Sequence, residues 1–192
     1  MQKIFIGSLV GGIIFFLWSF MAWTVLPMHL HTVMYTPAQD SILKVLAESG
    51  METGVYSMPL ADNRNIHSAM DEKYMEECKK MMEDNKGKPM ATVTYLKEGM
   101  KFDGSTLFMG FLYEFIAVLA VCILLAPAFA STASYFGRWW LILLVGLVIT
   151  MAGPMINHNF MGVPWNFTLD MIVDTFANWG IVGLWLAWYF RK

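Results

Sequence analysis

The chain has 192 residues, 57% of them hydrophobic and 15% charged, with a net charge of -2. Soluble domains average about 45–50% apolar and about 25% charged residues. The surplus excludes a disordered chain, a basic nucleic-acid binder and a small disulfide-stapled secreted domain, and it points to a membrane protein.

The first apolar window, 4–26, follows Lys3 and contains no charge. It is longer than the ~7–15 apolar residues of a signal peptide. No small-x-small cleavage site follows it, because Met21-Ala22-Trp23 is too bulky. It reads as an uncleaved transmembrane anchor. Gly7, Gly11 and Gly12, with Ser8, give it a small-residue face for close helix packing, within the bundle or against a partner's helix.

Residues 27–106 switch to the composition of a soluble domain and hold most of the charges. Pro37 opens a helix expected over 38–49, stopped by Gly50. A strand is expected at 55–60. A second helix, capped by Asn65 or Ser68, should run to about Asn85. Thr92, Val93, Thr94 and Tyr95 mark a second strand at 90–96. This is a small α/β domain. Met70, Tyr74, Cys78 and Met81 recur at helical spacing, so they read as the apolar face of the second helix.

Three further windows are long enough to cross a bilayer: 107–130, 139–157 and 167–190. Glu114 is the one charge in the second span, the third has none, and the fourth carries Asp170 and Asp174. Gly180 and Gly183 mark a further packing face on the fourth. Lys3, Arg138 in the expected connection 131–138, and Arg191 with Lys192 lie together on one side. The positive-inside rule therefore puts both termini in the cytoplasm and residues 27–106 outside it, with a bacterial inner membrane as the expected location. The expected fold is an all-α transmembrane four-helix bundle, with the small α/β extracytoplasmic domain inserted between helices 1 and 2.

Asp170, Asp174 and Asn178 stand at i, i+4 and i+8, so they form one polar stripe. Glu114 lies at a similar depth. Intramembrane carboxylates are costly and face the bundle interior or water. Two uses follow: an outward-facing polar pocket, or hydrogen bonds between helices and contacts with Lys97 or Lys101. His29, His31 and His158 share the same boundary layer. With Glu114, Asp170 and Asp174 they make a candidate site for zinc, iron or copper, although no segment has a diagnostic ligand spacing. Met28, Met34 and Cys78 are further candidates for Cu(I). Cys78 and Cys122 lie too far apart in the expected topology to pair.

No nucleophile–base set, phosphate loop or dinucleotide fingerprint is present, which points away from an enzyme. The inner halves of the spans hold no expected charge or histidine, which points away from transport by this chain alone. The function expected first is a non-enzymatic accessory or scaffolding subunit of a larger membrane complex. It would sit in lipid against other membrane subunits, meeting them by the glycine-bearing faces and the outer domain. The alternative is a metal- or small-ligand-binding membrane protein with an outward-facing His/carboxylate site.

Overall fold

The computed structural model describes residues 1–64, 66–131 and 134–191. Four helical segments are long and apolar enough to cross a membrane: Gln2–Thr24, Gly104–Ser131, Tyr135–Met161 and Trp165–Tyr189. Their outward faces carry large apolar side chains such as Phe5, Leu17, Ile123, Leu124 and Val148. Such a surface needs lipid rather than water beside it, so these helices support a membrane location.

The chain forms two compact units, Met1–Tyr35 with Lys101–Lys192, and Thr36–Met100. The first contains α1 (Gln2–Thr24), a 3-10 turn (Pro27–His29), α4 (Gly104–Ser131), α5 (Tyr135–Ala152), α6 (Pro154–Met161) and α7 (Trp165–Tyr189). The second contains α2 (Gln39–Glu48), β1 (Gly54–Met58), α3 (Glu72–Asp84) and β2 (Ala91–Tyr95).

In the smaller unit the two strands pair antiparallel, with Gly54 opposite Tyr95 and Met58 opposite Ala91. Asp71 caps α3, its carboxylate accepting from the Tyr74 N–H at 3.0 Å. Of the two caps expected from sequence, Ser68 lies before the helix in a turn and Asn65 lies outside the described residues. The expected apolar face of this helix is covered in part: Tyr74, Cys78 and Met81 are half-buried along one side, whereas Met70 precedes the helix and is exposed, and no residue of the helix is fully buried. Two strands and two short helices enclose too little volume to bury it.

The larger unit pairs α1 with α4 and α5 with α7, and α1 also packs on α7. Its core is Val118, Val121, Cys122 and Phe129 of α4, Ile142 of α5, and Trp179, Val182, Leu186 and Phe190 at α7 and its end. This core fills the half that bears the two termini. Glycines let the helices close there. A Cβ on Gly7 would stand 2.9 Å from the Phe190 ring, on Gly11 2.8 Å from Val118, on Gly12 2.9 Å from the Phe115 Cα, and on Gly183 2.9 Å from Trp139. These four glycines therefore serve packing within the bundle, the first of the two uses expected of them. Gly180 is looser, with Leu143 at 3.8 Å.

Helix ends depart from the hydropathy windows where polar groups act. Asp103 starts α4 by accepting from the Ser105 and Thr106 N–H groups at 3.0 and 3.1 Å. The Ser105 hydroxyl, donating to the same oxygen at 2.6 Å, and then those bonds hold the Asp103 carboxyl below its ordinary range. Ser134 caps α5 by accepting from the Gly137 N–H at 2.9 Å. Arg138 is thus in the first turn of α5, not in a connecting loop, and is 3% exposed. Its Nε donates to the Ala187 carbonyl at 2.9 Å. That carbonyl is one of the last four of α7, which have no partner in their own helix and favour a cation. The expected absence of charge from this half of the bundle is corrected by that guanidinium and by Lys3, which lies in the first turn of α1. At the other end Gly153 and Pro154 break the third span into α5 and α6, because Pro154 has no N–H for the Thr150 carbonyl.

Candidate functional site: a cleft at the distal end of the bundle

Away from the termini the four long helices do not fill the space between them. A cleft of about 370 Å³ is lined by Phe15 and Ser19 of α1, Tyr113, Glu114 and Ala117 of α4, Ile149 of α5, and Asp174, Thr175, Asn178 and Trp179 of α7. It opens between α4 and α5, where Tyr113 and Ile149 on its rim are 63% and 40% exposed. Glu114 and Asp174 thus face one space, as their similar depth suggested.

Asp174 is the better satisfied of the two. Its Oδ1 accepts from the Trp18 indole N–H at 3.1 Å and from Asn178 Nδ2 at 3.5 Å. Its Oδ2 lies 3.9 Å from His29 Nε2. His29 is buried and stacks on Trp23, ring centroids 3.9 Å apart. Its Nδ1 is 3.2 Å from Thr32 Oγ1, and Thr32 donates its hydroxyl to Asp170 Oδ2. Thr32 has one proton, given to Asp170, so its oxygen accepts from His29 Nδ1–H. In the neutral ring Nε2 then turns a lone pair toward Asp174. A proton added there makes the contact an ion pair.

Among the described residues, four buried side-chain atoms have no hydrogen-bond partner: His29 Nε2, Glu114 Oε2, Thr150 Oγ1 and Asn178 Oδ1. Buried polar groups are nearly always hydrogen-bonded, so each exception needs a reason. Glu114 and Asn178 belong to residues of the cleft wall. Asn178 is 4% exposed, and its amide N–H turns to Asp174, an acceptor. That choice fixes the flip and leaves Oδ1 as the orphan.

The expected six-residue metal site does not assemble. Among the described residues no three His, Cys, Asp or Glu side chains come together as a metal-ligand group. His158 donates from Nδ1 to the Val163 carbonyl at 2.7 Å and packs on Trp165, which ties the α6–α7 turn. His31 is exposed in a separate groove with Met34 and Asn166. Met28 lines a small recess with His29 and Asp170. Cys78 belongs to the other unit, where its thiol hydrogen-bonds Tyr74 and pushes that phenol above its ordinary range. Lys97, a candidate partner for the membrane carboxylates, pairs its ammonium with Glu52 at 2.7 Å within the smaller unit.

The stripe of Asp170, Asp174 and Asn178 was readable from spacing. Trp18, Ser19 and Thr32 were not singled out. The Trp18-Ser19 pair is a donor-bearing interruption in a charge-free span, and that was the available signal. Thr32 carries none. Comparison of the chain with protein-family models, with curated proteins and with solved structures gives no match.

Proposed function

We propose that this is a small-ligand-binding membrane protein, non-enzymatic, whose site is the distal cleft. The observation that carries the reading is Asn178, almost wholly buried at the cleft wall with an orphaned amide oxygen. A mostly apolar, aromatic-lined cavity with a few convergent polar groups is the usual make-up of a ligand site. The test is to extract purified protein and identify retained small molecules by mass spectrometry. One species should be held near one per chain by the native protein and lost from Ala117→Leu, which fills the cleft. Loss of nothing, or no retained species, refutes the reading.

The proposed setting is a bacterial inner membrane with both termini cytoplasmic and residues 27–106 on the far side. Lys3 and Arg191, joined by a 3.1 Å hydrogen bond from Lys3 Nζ to the Arg191 carbonyl, supply positive charge at the terminal end. The cleft then opens in the outer leaflet.

A second reading, an accessory subunit of a membrane complex, is favoured by α2. Its apolar residues Ile42, Leu43 and Val45 are exposed, and no residue of this helix is buried. Mild-detergent purification from the native host tests it. A stoichiometric protein partner lost on Leu43→Glu supports it, and a lone monodisperse monomer sinks it.

A further inference from the structure

We propose that the distal cleft binds a primary ammonium group carried on an apolar chain, with Glu114 and Asn178 receiving its N–H donors. The inference rests on the cleft being a ligand site and goes further by naming the chemistry.

Three observations carry it. First, the unmet atoms of the cleft wall are oxygens. Asn178 Oδ1 can only accept, and Glu114 Oε2 accepts whenever the carboxylate is ionised. Two nearby donors are spent on Asp174, the Trp18 indole N–H and an Asn178 amide N–H. A ligand that pairs these two oxygens brings donors.

Second, the charge balance favours a cation. Glu114 and Asp174 both line the space, and no Lys, Arg or His is among its lining residues. His29 Nε2 lies 3.9 Å from Asp174 Oδ2 and is the one basic group recorded beside either carboxyl among the described residues. Phe15, Tyr113 and Trp179 add aromatic rings to the lining, and an aromatic face attracts a desolvated cation.

Third, the exit is apolar. Ala117 and Ile149 flank the opening between α4 and α5, which in a bilayer faces lipid chains. An ammonium seated between Glu114 and Asn178 can leave its alkyl chain in that gap. A quaternary ammonium would supply charge but no N–H, leaving both oxygens unmet. For a metal ion, no three His, Cys, Asp or Glu side chains gather here among the described residues.

The ammonium has two sources, a phosphatidylethanolamine headgroup or a free amine. The experiment uses the full chain in phosphatidylcholine nanodiscs, whose own headgroups carry no N–H. Calorimetric titration with octylammonium should saturate at one per chain, after subtraction of empty discs. Octyltrimethylammonium and octanol should bind at least tenfold more weakly. Glu114→Gln should weaken octylammonium at least tenfold, with far-UV circular dichroism unchanged. Displacement by phosphatidylethanolamine built into the disc, or by ethanolamine in the buffer, supports the proposal and identifies the source.

Equal affinity for all three octyl probes overturns the ammonium inference while leaving a ligand cleft. Full affinity in a folded Glu114→Gln also overturns it. No saturable binding of any probe overturns both the inference and the reading beneath it. The probe series on the native chain does not depend on any variant folding.

Discussion

Adding one methyl group at Gly12 and at Gly180 should have opposite consequences, although both glycines lie inside long apolar helices. The Cβ of Gly12→Ala would stand 2.9 Å from the Phe115 Cα and 3.1 Å from its Cβ. A backbone atom cannot rotate aside, so α1 and α4 must separate by about half an ångström to reach the 3.4 Å of ordinary contact. Overpacking of this kind costs about 1–3 kcal/mol. At Gly180 the nearest atom is Leu143 Cδ2 at 3.8 Å, and nothing has to move. Both variants gain the same helix propensity, about 1 kcal/mol, so it cancels in the comparison. Gly180→Ala should therefore exceed Gly12→Ala in stability by about 1–3 kcal/mol, or about 5- to 150-fold in the unfolding equilibrium. Reversible unfolding by sodium dodecyl sulfate in mixed micelles, followed by circular dichroism, measures the difference. Equal stability, or a more stable Gly12→Ala, would refute the claim that the α1–α4 interface closes on Gly12.

Trp18→Phe keeps a ring on α1 but removes the N–H that Asp174 accepts at 3.1 Å, and should cost about 1–3 kcal/mol. A double-mutant cycle with Asp174→Asn should show coupling above about 0.5 kcal/mol, whereas strict additivity would break the argument. In the smaller unit, hydrogen bonds from Arg64 hold the exposed Asp62 carboxyl well below the usual carboxylate range. The pair is therefore fully formed above the ordinary carboxyl value and is lost as pH falls through the lowered one. Arg64→Gln should raise the Asp62 midpoint, read by nuclear magnetic resonance, toward about 3.9, and an unmoved midpoint would exclude Arg64 as the cause. The two native thiols test the proposed orientation. Cys78 is partly exposed and Cys122 fully buried. A membrane-impermeant maleimide added to intact spheroplasts should label Cys78 alone; labelling that requires permeabilisation would reverse the topology.

The legible parts of the fold were those set by local composition. Each long apolar run is helical because lipid leaves the backbone no other hydrogen-bond partner. Hydropathy placed the ends less well, since ends answer to caps. Asp103 and Ser134 extend α4 and α5 past their apolar windows. Arg138 looked like a loop charge because hydropathy weighs a residue without knowing what faces it; the carbonyl end of α7 is what makes its burial tolerable. The metal set failed for a related reason. Histidines that share a depth need not share an azimuth, and His158 turns to its own loop carbonyl.

The sequence by itself determined four membrane-length helices, a charged insert, and one polar stripe on the last helix, because hydropathy and helical period are properties of consecutive residues. Tertiary structure decided which faces meet. It spent Gly7, Gly11, Gly12 and Gly183 on closing the terminal half of the bundle. It left Glu114 and Asn178 in the wall of a cleft in the other half, each with an unmet oxygen. Such partnerships join residues distant in the chain, and no local pattern encodes them.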